Sequence, residues 1–132
     1  MTSELRVDNL KGSTTGGSIN VLGEGTSATT NLQQGLCKAW FNYRHDVGPT
    51  LNDSFNISSV TDESTGHHFG NYNNNMSNAH SATPTMGDSF RTRFEGNLEQ
   101  TSARTDTIEG YNSSGAAADT PHSVCTIVGD LA

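Results

Sequence analysis

The 132 residues suffice for one domain and are too few for two. Fourteen acidic side chains against 7 basic ones leave a formal net charge of -7. The lysines and arginines are scattered, with Arg91 and Arg93 beside Glu95, so no nucleic-acid groove is expected, because phosphate contacts need clustered cations. Leu, Ile, Val and Phe make up roughly 17% of the chain, under the ~20% at which a packed core becomes hard to build. At ~25 cal/mol per Å2 buried against ~1–2 kcal/mol of backbone entropy per residue, either segments stay disordered or extra surface is buried in an oligomer. The alternating runs below favour the oligomer.

Residues 1–35 form a Gly-rich arm and 36–132 a body. In the arm, Glu4-Leu5-Arg6-Val7-Asp8 alternates and predicts a short half-buried strand. Residues 12–18 predict a loop, Ser18 to Leu22 a second short strand, and residues 23–34 another loop. In the body, Leu36 to Tyr43 is the strongest strand. Leu36, Lys38, Trp40 and Asn42 share one face, and Cys37, Ala39, Phe41 and Tyr43 the other. Leu51 to Val60 continues as strand, with Phe55 and Ile57 on one face.

Thr61 to Gly66 predicts a turn. Residues 67–72 alternate, and Asn71 to Asn75 predicts either a polar loop or a short irregular strand. Ser89 to Phe94 and Thr101 to Ile108 alternate weakly. Tyr111 to Thr120 predicts a loop, and Ser123 to Val128 a final strand. No segment holds a helical period, so the expected fold is all-β: a small antiparallel β-sandwich, or a barrel-like body, preceded by an extended arm. The expected core is Trp40, Phe41, Phe55, Ile57, Val60, Val124 and Ile127. Trp40→Ala is accordingly expected to cost ~3–5 kcal/mol. Leu5, Val7 and Leu10 are the expected attachment residues of the arm.

Few residues point to chemistry. His67 and His68 are adjacent, so on a strand their rings face opposite ways and cannot chelate as a pair. His45, His80 and His122 are isolated. Cys37 and Cys125 have no CxxC spacing and are expected as buried reduced thiols, neighbours only if the first and last body strands pair. No metal or cofactor is expected. No GxSxG elbow is present, and Asp46, Asp53, Asp62, Glu63, Asp88 and Glu95 sit in turn contexts, so enzymatic activity is not expected. Tyr72 with Asn71 and Asn73, and Tyr111 with Asn112, are the candidate carbohydrate contacts, with loop packing as the plainer reading. Met1 to Arg6 lacks an apolar h-region, so the chain is expected to be made in a cytosol without a signal peptide. No run approaches the ~20 apolar residues of a membrane span, and no membrane insertion is expected.

Lys38-Ala39-Trp40-Phe41-Asn42-Tyr43, a short loop, then Asp53-Ser54-Phe55-Asn56-Ile57-Ser58-Ser59-Val60-Thr61-Asp62 and Gly66 resembles a recurring domain of bacteriophage virion proteins. That domain occurs most often in tail-fibre and structural proteins of phages of marine bacteria and cyanobacteria. Its pattern is roughly K-A-W-x-N-F, a Gly-rich loop, x-S-F-N-V-S-S-I-T-D-x-G-x-G, then a strand ending in Met near the position of Met76. An apolar strand and Gly-Asp close it, as Val124 to Asp130 does here. Ser3 to Leu10 is similar to the N-terminal S-x-L-x-V-D-x-I/L strand of such fibres, while residues 77–122 match weakly. Gly70 stands where that pattern has a branched apolar residue, which predicts a weakened strand.

The resemblance implies a virion component without catalytic residues, a homotrimer displayed outside the particle. Its partners would be itself, other tail or capsid proteins and a host surface glycan or protein. A tail fibre or related appendage is the expected role. At this length a capsid decoration or cement protein is the alternative, and a carbohydrate-active enzyme a remote one.

Overall fold

The computed structural model describes residues 4–15, 19–22, 29–87, 91–94, 100–105, 108–119 and 121–131. The chain divides into two units, Met1–Leu36 and Cys37–Ala132, one residue later than the boundary expected from composition. In the first unit β1 (Asn20–Leu22) pairs antiparallel with β2 (Thr29–Asn31). One helical turn, α1 (Leu32–Gly35), follows, and its Leu32 N–H donates to the Ile19 carbonyl at 2.8 Å. The strand expected at Glu4 to Asp8 is not formed: residues 4–12 carry no strand. Alternation alone supplies no hydrogen-bond partner, and Leu5, Val7 and Leu10 are 77%, 55% and 56% exposed.

The second unit is all-β. It is an antiparallel sandwich of β3 (Cys37–Arg44), β4 (Thr50–Phe55), β5 (Ile57–Ser64), β6 (His67–Tyr72), β7 (Thr85–Gly87), β8 (Arg91–Phe94), β9 (Ile108–Tyr111) and β10 (Ser123–Val128). One sheet has the order β4-β3-β10-β7 and the other β5-β6-β9-β8. The first and last body strands are therefore neighbours, with Cys125 opposite Phe41 and Ile127 opposite Ala39. Thr61 to Ser64, expected in a turn, instead extend β5, and only Thr65 and Gly66 turn the chain.

The core is built from alternate residues of both sheets. Ala39, Phe41 and Tyr43 of β3 and Cys125 and Ile127 of β10 meet Ile57, Tyr72 and Ile108 from the other sheet, with Met76 beside them. Leu51 and Val60 pack against this cluster partly buried. Three expected core residues stand elsewhere. Trp40 is half-buried, Phe55 is 52% exposed and Val124 43% exposed. The cause is parity. With Phe41 and Cys125 turned inward, the residues one step away on the same strands, Trp40 and Val124, must turn outward.

Phe55 and Ile57 lie on opposite sides of a break rather than on one face. Asn56 between them has a left-handed backbone, φ 57°, which Asn tolerates better than most residues. It ends β4 in one sheet and starts β5 in the other. Its side chain fastens this corner: Oδ1 accepts the Asn74 N–H at 2.7 Å, and Nδ2 donates to the carbonyls of Asn74 and Lys38 at 3.1 and 3.2 Å. Asn56→Ala loses these bonds and keeps the strained φ. It is expected to cost about 2–3 kcal/mol. Asn56→Gly, relieved of the strain, should cost less, and urea melts of the two variants order them.

Gly70 does not weaken its strand. It lies in β6, an interior strand of its sheet, and the Phe41 ring occupies the space of the missing side chain. A Cβ there would stand 2.9 Å from Phe41 Cζ. The Gly70 N–H donates to Thr105 Oγ1 and its carbonyl accepts the Thr105 N–H, both at 2.9 Å.

Candidate interaction surface and buried histidine cluster

The outer face of the β4-β3-β10-β7 sheet gathers the outward aromatics. Phe55 stands opposite Trp40 across β4 and β3, and Thr126 stands opposite Trp40 on β10. In the next row Asp53, Asn42, Val124 and Met86 follow one another across the sheet. Met86 is 77% exposed. Asn52 Nδ2 donates to Asn42 Oδ1 at 2.9 Å, which fixes the amides between the apolar groups. At the β7 margin Met86, Gly87, His122, Ser123 and Val124 line an open concavity of about 230 Å3.

The other sheet treats its outward aromatic differently. The Arg104 guanidinium lies 4.1 Å from the centroid of the Phe69 ring, and Phe69 is only 7% exposed. A cation over an aromatic face is attracted by the ring quadrupole and also excludes water from it. Among the described residues no cation–π contact of that kind covers Trp40 or Phe55. On this face Phe55, Val124 and Met86 are exposed and Trp40 is half-buried.

The strands of this sheet carry little charge. Lys38 is buried, while Arg44 pairs with the Asp46 carboxylate at 2.9 Å. That pairing holds the Asp46 carboxyl below the usual carboxylate range.

A second feature lies inside the sandwich. His45, just past β3, and His68 of β6 stack with ring centroids 4.4 Å apart and planes 25° from parallel. Tyr43 meets His68 edge-on at 4.9 Å. Both histidines are buried, and among the described residues none of their four ring nitrogens has a hydrogen-bond partner. Asp119 Oδ1 stands 3.0 Å from His45 Nδ1, off the line of a hydrogen bond, while it accepts the Gly66 N–H at 2.6 Å. Asp62 Oδ1 is 3.5 Å from His45 Nε2. Burial pushes the pKa of His68 down to about 3, helped by the neighbouring His45 and His67 and opposed by Asp119.

Gly66 is required beside this cluster. Its φ is 76°, and a Cβ would come 2.7 Å from the Ala118 nitrogen and 2.8 Å from the Gly110 oxygen. His67 points away from the stack, with Nε2 3.5 Å from the buried Glu109 carboxylate, whose other oxygen accepts the Tyr111 hydroxyl at 2.5 Å. Among the described residues no three His, Cys, Asp or Glu side chains converge as ligands for a metal ion.

The expected carbohydrate contacts fare poorly. Tyr72 is 6% exposed and belongs to the core, and the Tyr111 hydroxyl is spent on Glu109. The two thiols are free. Cys125 is buried, which raises its pKa, but Cys37 is exposed rather than buried, with Sγ 3.0 Å from the Ala39 carbonyl. Neither Met86 nor the His45–His68 stack is legible in the sequence. Met86 sits in a three-residue strand with no alternation to mark it, and the histidines are brought together only by the packing of two sheets. No helix among the described residues is long and apolar enough to cross a membrane. No protein-family model, no curated protein and no solved structure matches this chain.

Proposed function

We propose that this chain is a non-enzymatic structural component of a bacteriophage virion, of the tail-fibre or related appendage kind. It associates with itself, as a homotrimer, and with other virion proteins through the outer face of the β4-β3-β10-β7 sheet. The observation that carries the reading is that face: Phe55, Val124 and Met86 lie exposed beside the half-buried Trp40 on a sparsely apolar, acidic chain. The resemblance adds to it, because Lys38 to Tyr43 falls within β3 and Asp53 to Asp62 spans the β4–β5 corner. Of the residues that carry the likeness, Trp40, Asn42, Asp53 and Phe55 belong to this face, while Ile57 to Asp62 belong to β5 of the other sheet.

The reading is tested by locating the chain in purified particles, with an antibody raised against it and electron microscopy. Label at the tail is expected. Label at capsid lattice positions would replace the appendage with a decoration protein, and absence from particles would remove the virion reading.

A further inference from the structure

We infer that residues 112–119 are an acid-released flap: entry of a proton into the His45–His68 stack lifts this segment from the β5–β6 turn while both sheets stay folded.

The stack stands where β3 ends and β6 begins, outside the apolar cluster of the core. The flap closes over it at Asp119. That carboxylate approaches His45 Nδ1 at 3.0 Å and accepts the Gly66 N–H at 2.6 Å. One residue earlier, the Ala118 N–H donates to the Gly110 carbonyl at 2.9 Å, and Ala117 forms an antiparallel bridge with Tyr111. Turn and flap lie so close that a Cβ on Gly66 would collide with the Ala118 nitrogen.

The flap has little apolar surface to hold it down. Its sequence, Asn112-Ser113-Ser114-Gly115-Ala116-Ala117-Ala118-Asp119, contains no apolar side chain larger than Ala, and residues 112–117 are exposed. Lifting it forfeits little hydrophobic burial, whereas the sheets are held by Phe41, Tyr43, Ile57, Ile108 and Ile127. A segment of this kind opens locally at far lower cost than the whole domain unfolds. It also keeps its own turn when it lifts, because Asn112 Oδ1 accepts the Ser114 and Ala116 N–H groups within it.

The trigger is a charge that the closed stack refuses. The groups facing the two rings are Tyr43 of β3, Asp62 of β5, His67 of β6 and Asp119 of the flap. Cys125 of β10 lies near Tyr43, Glu109 of β9 faces His67, and Arg44 and Asp46 pair with each other beside His45. A charge on His45 meets the carboxylates of Asp62 and Asp119. A charge on His68 meets His45 and His67, and among the described residues neither of its nitrogens has a hydrogen-bond partner. With ring centroids 4.4 Å apart, two charged rings repel strongly in a buried site. The closed stack therefore keeps His68 neutral, in line with its depressed pKa. Once the flap lifts, water reaches the rings and His68 titrates near the ordinary histidine value of about 6.5. The open form then binds one proton more than the closed form, so falling pH draws the equilibrium toward it.

Native-state hydrogen exchange on the full chain, corrected for intrinsic chemical rates, tests this between pH 7.5 and pH 5, above the ordinary carboxylate values. For one proton the opening equilibrium should rise about thirtyfold over that range, read as the same loss of protection at the Gly66 and Ala118 amides. At both ends of the range these amides should exchange at least tenfold faster than Thr105, whose N–H is held by the Gly70 carbonyl, and than the β3–β10 ladder. Their exchange should also respond less to urea, the mark of an opening that exposes little surface. His68→Phe should cut the pH effect to less than about threefold. Where that variant does not fold, ring-nitrogen NMR spectra of the native chain decide the same point, with His68 neutral at pH 5. Protection at Gly66 and Ala118 that ignores pH would overturn the inference, as would exchange of these amides through the same urea-sensitive opening as the ladder. So would a charged His68 in the folded chain, or a native pH effect in His68→Phe.

Discussion

Phe41→Ala is expected to destabilise the body by about 3–5 kcal/mol, the range for deleting a buried aromatic ring, whereas Trp40→Ala should cost about 1–2 kcal/mol, as for a side chain that buries part of its surface. The two residues are adjacent and both aromatic, but they face opposite ways. Phe41 has no exposed surface, lies 5.1 Å from the Tyr43 ring and fills the space above Gly70. Trp40 is half-buried on the outer face. Urea melts of the two variants measure the difference, and equal losses would place Trp40 in the core after all.

The same contact gives a sharper version of the experiment. Gly70→Ala in the native background forces a methyl to within 2.9 Å of Phe41 Cζ, and overpacking of this kind costs about 1–3 kcal/mol. In the Phe41→Ala background that methyl enters the vacated space and recovers part of the loss. The double variant should therefore be more stable than the sum of the two single changes predicts, by about 1 kcal/mol or more, as neighbours that share a cavity do. Strict additivity would show that the ring does not sit over Gly70.

Much of the fold is written locally. The alternation of residues 36–43 and 123–128 predicts two strands, and they form β3 and β10. The choice of inward face was not legible, because both faces of β3 carry an aromatic. It is decided by Gly70, a residue 29 positions beyond Phe41 in sequence, whose missing side chain makes room for one ring and not the other. In the resemblance Gly70 stood as a defect. In the packed sandwich it is the partner that Phe41 needs.

The corner at Asn56 shows the same limit. Phe55-Asn56-Ile57 reads as continuous alternation, and only the left-handed φ of Asn56 separates an outward Phe55 from an inward Ile57. Asn tolerates that conformation, but it also occurs in extended strands, so the residue type alone does not announce the break. The exposed apolar face was illegible for a related reason. Trp40, Phe55, Val124 and Met86 come from four strands, and their shared face exists only once the order β4-β3-β10-β7 is known. A thin composition predicted that surface would be left to bury, but not where it lies.

Acid should begin to destabilise this protein at a pH above the ordinary carboxylate range. The folded-state pKa of His68 is about 3, against an ordinary value of 6.5, so between those limits the unfolded chain binds a proton that the folded chain refuses. Stability then rises with pH across that window, is fully present above about pH 6.5, and is lost as pH falls at about 1.4 kcal/mol per unit for one proton. Between pH 6 and pH 4 the loss should reach about 2–3 kcal/mol. The physical cause is that the His68 ring is buried between Tyr43 and His45, with neither nitrogen hydrogen-bonded among the described residues. The titratable groups around it are His45, His67 and Asp119, with Asp62 beyond His45. His68→Phe keeps an aromatic ring in the stack and removes the proton site. Urea melts of both proteins from pH 7.5 to 4 should give the native chain the steeper fall, with the two curves parallel above pH 7. Identical slopes through the whole range would show that His68 is protonated in the folded state and that the stack does not resist acid.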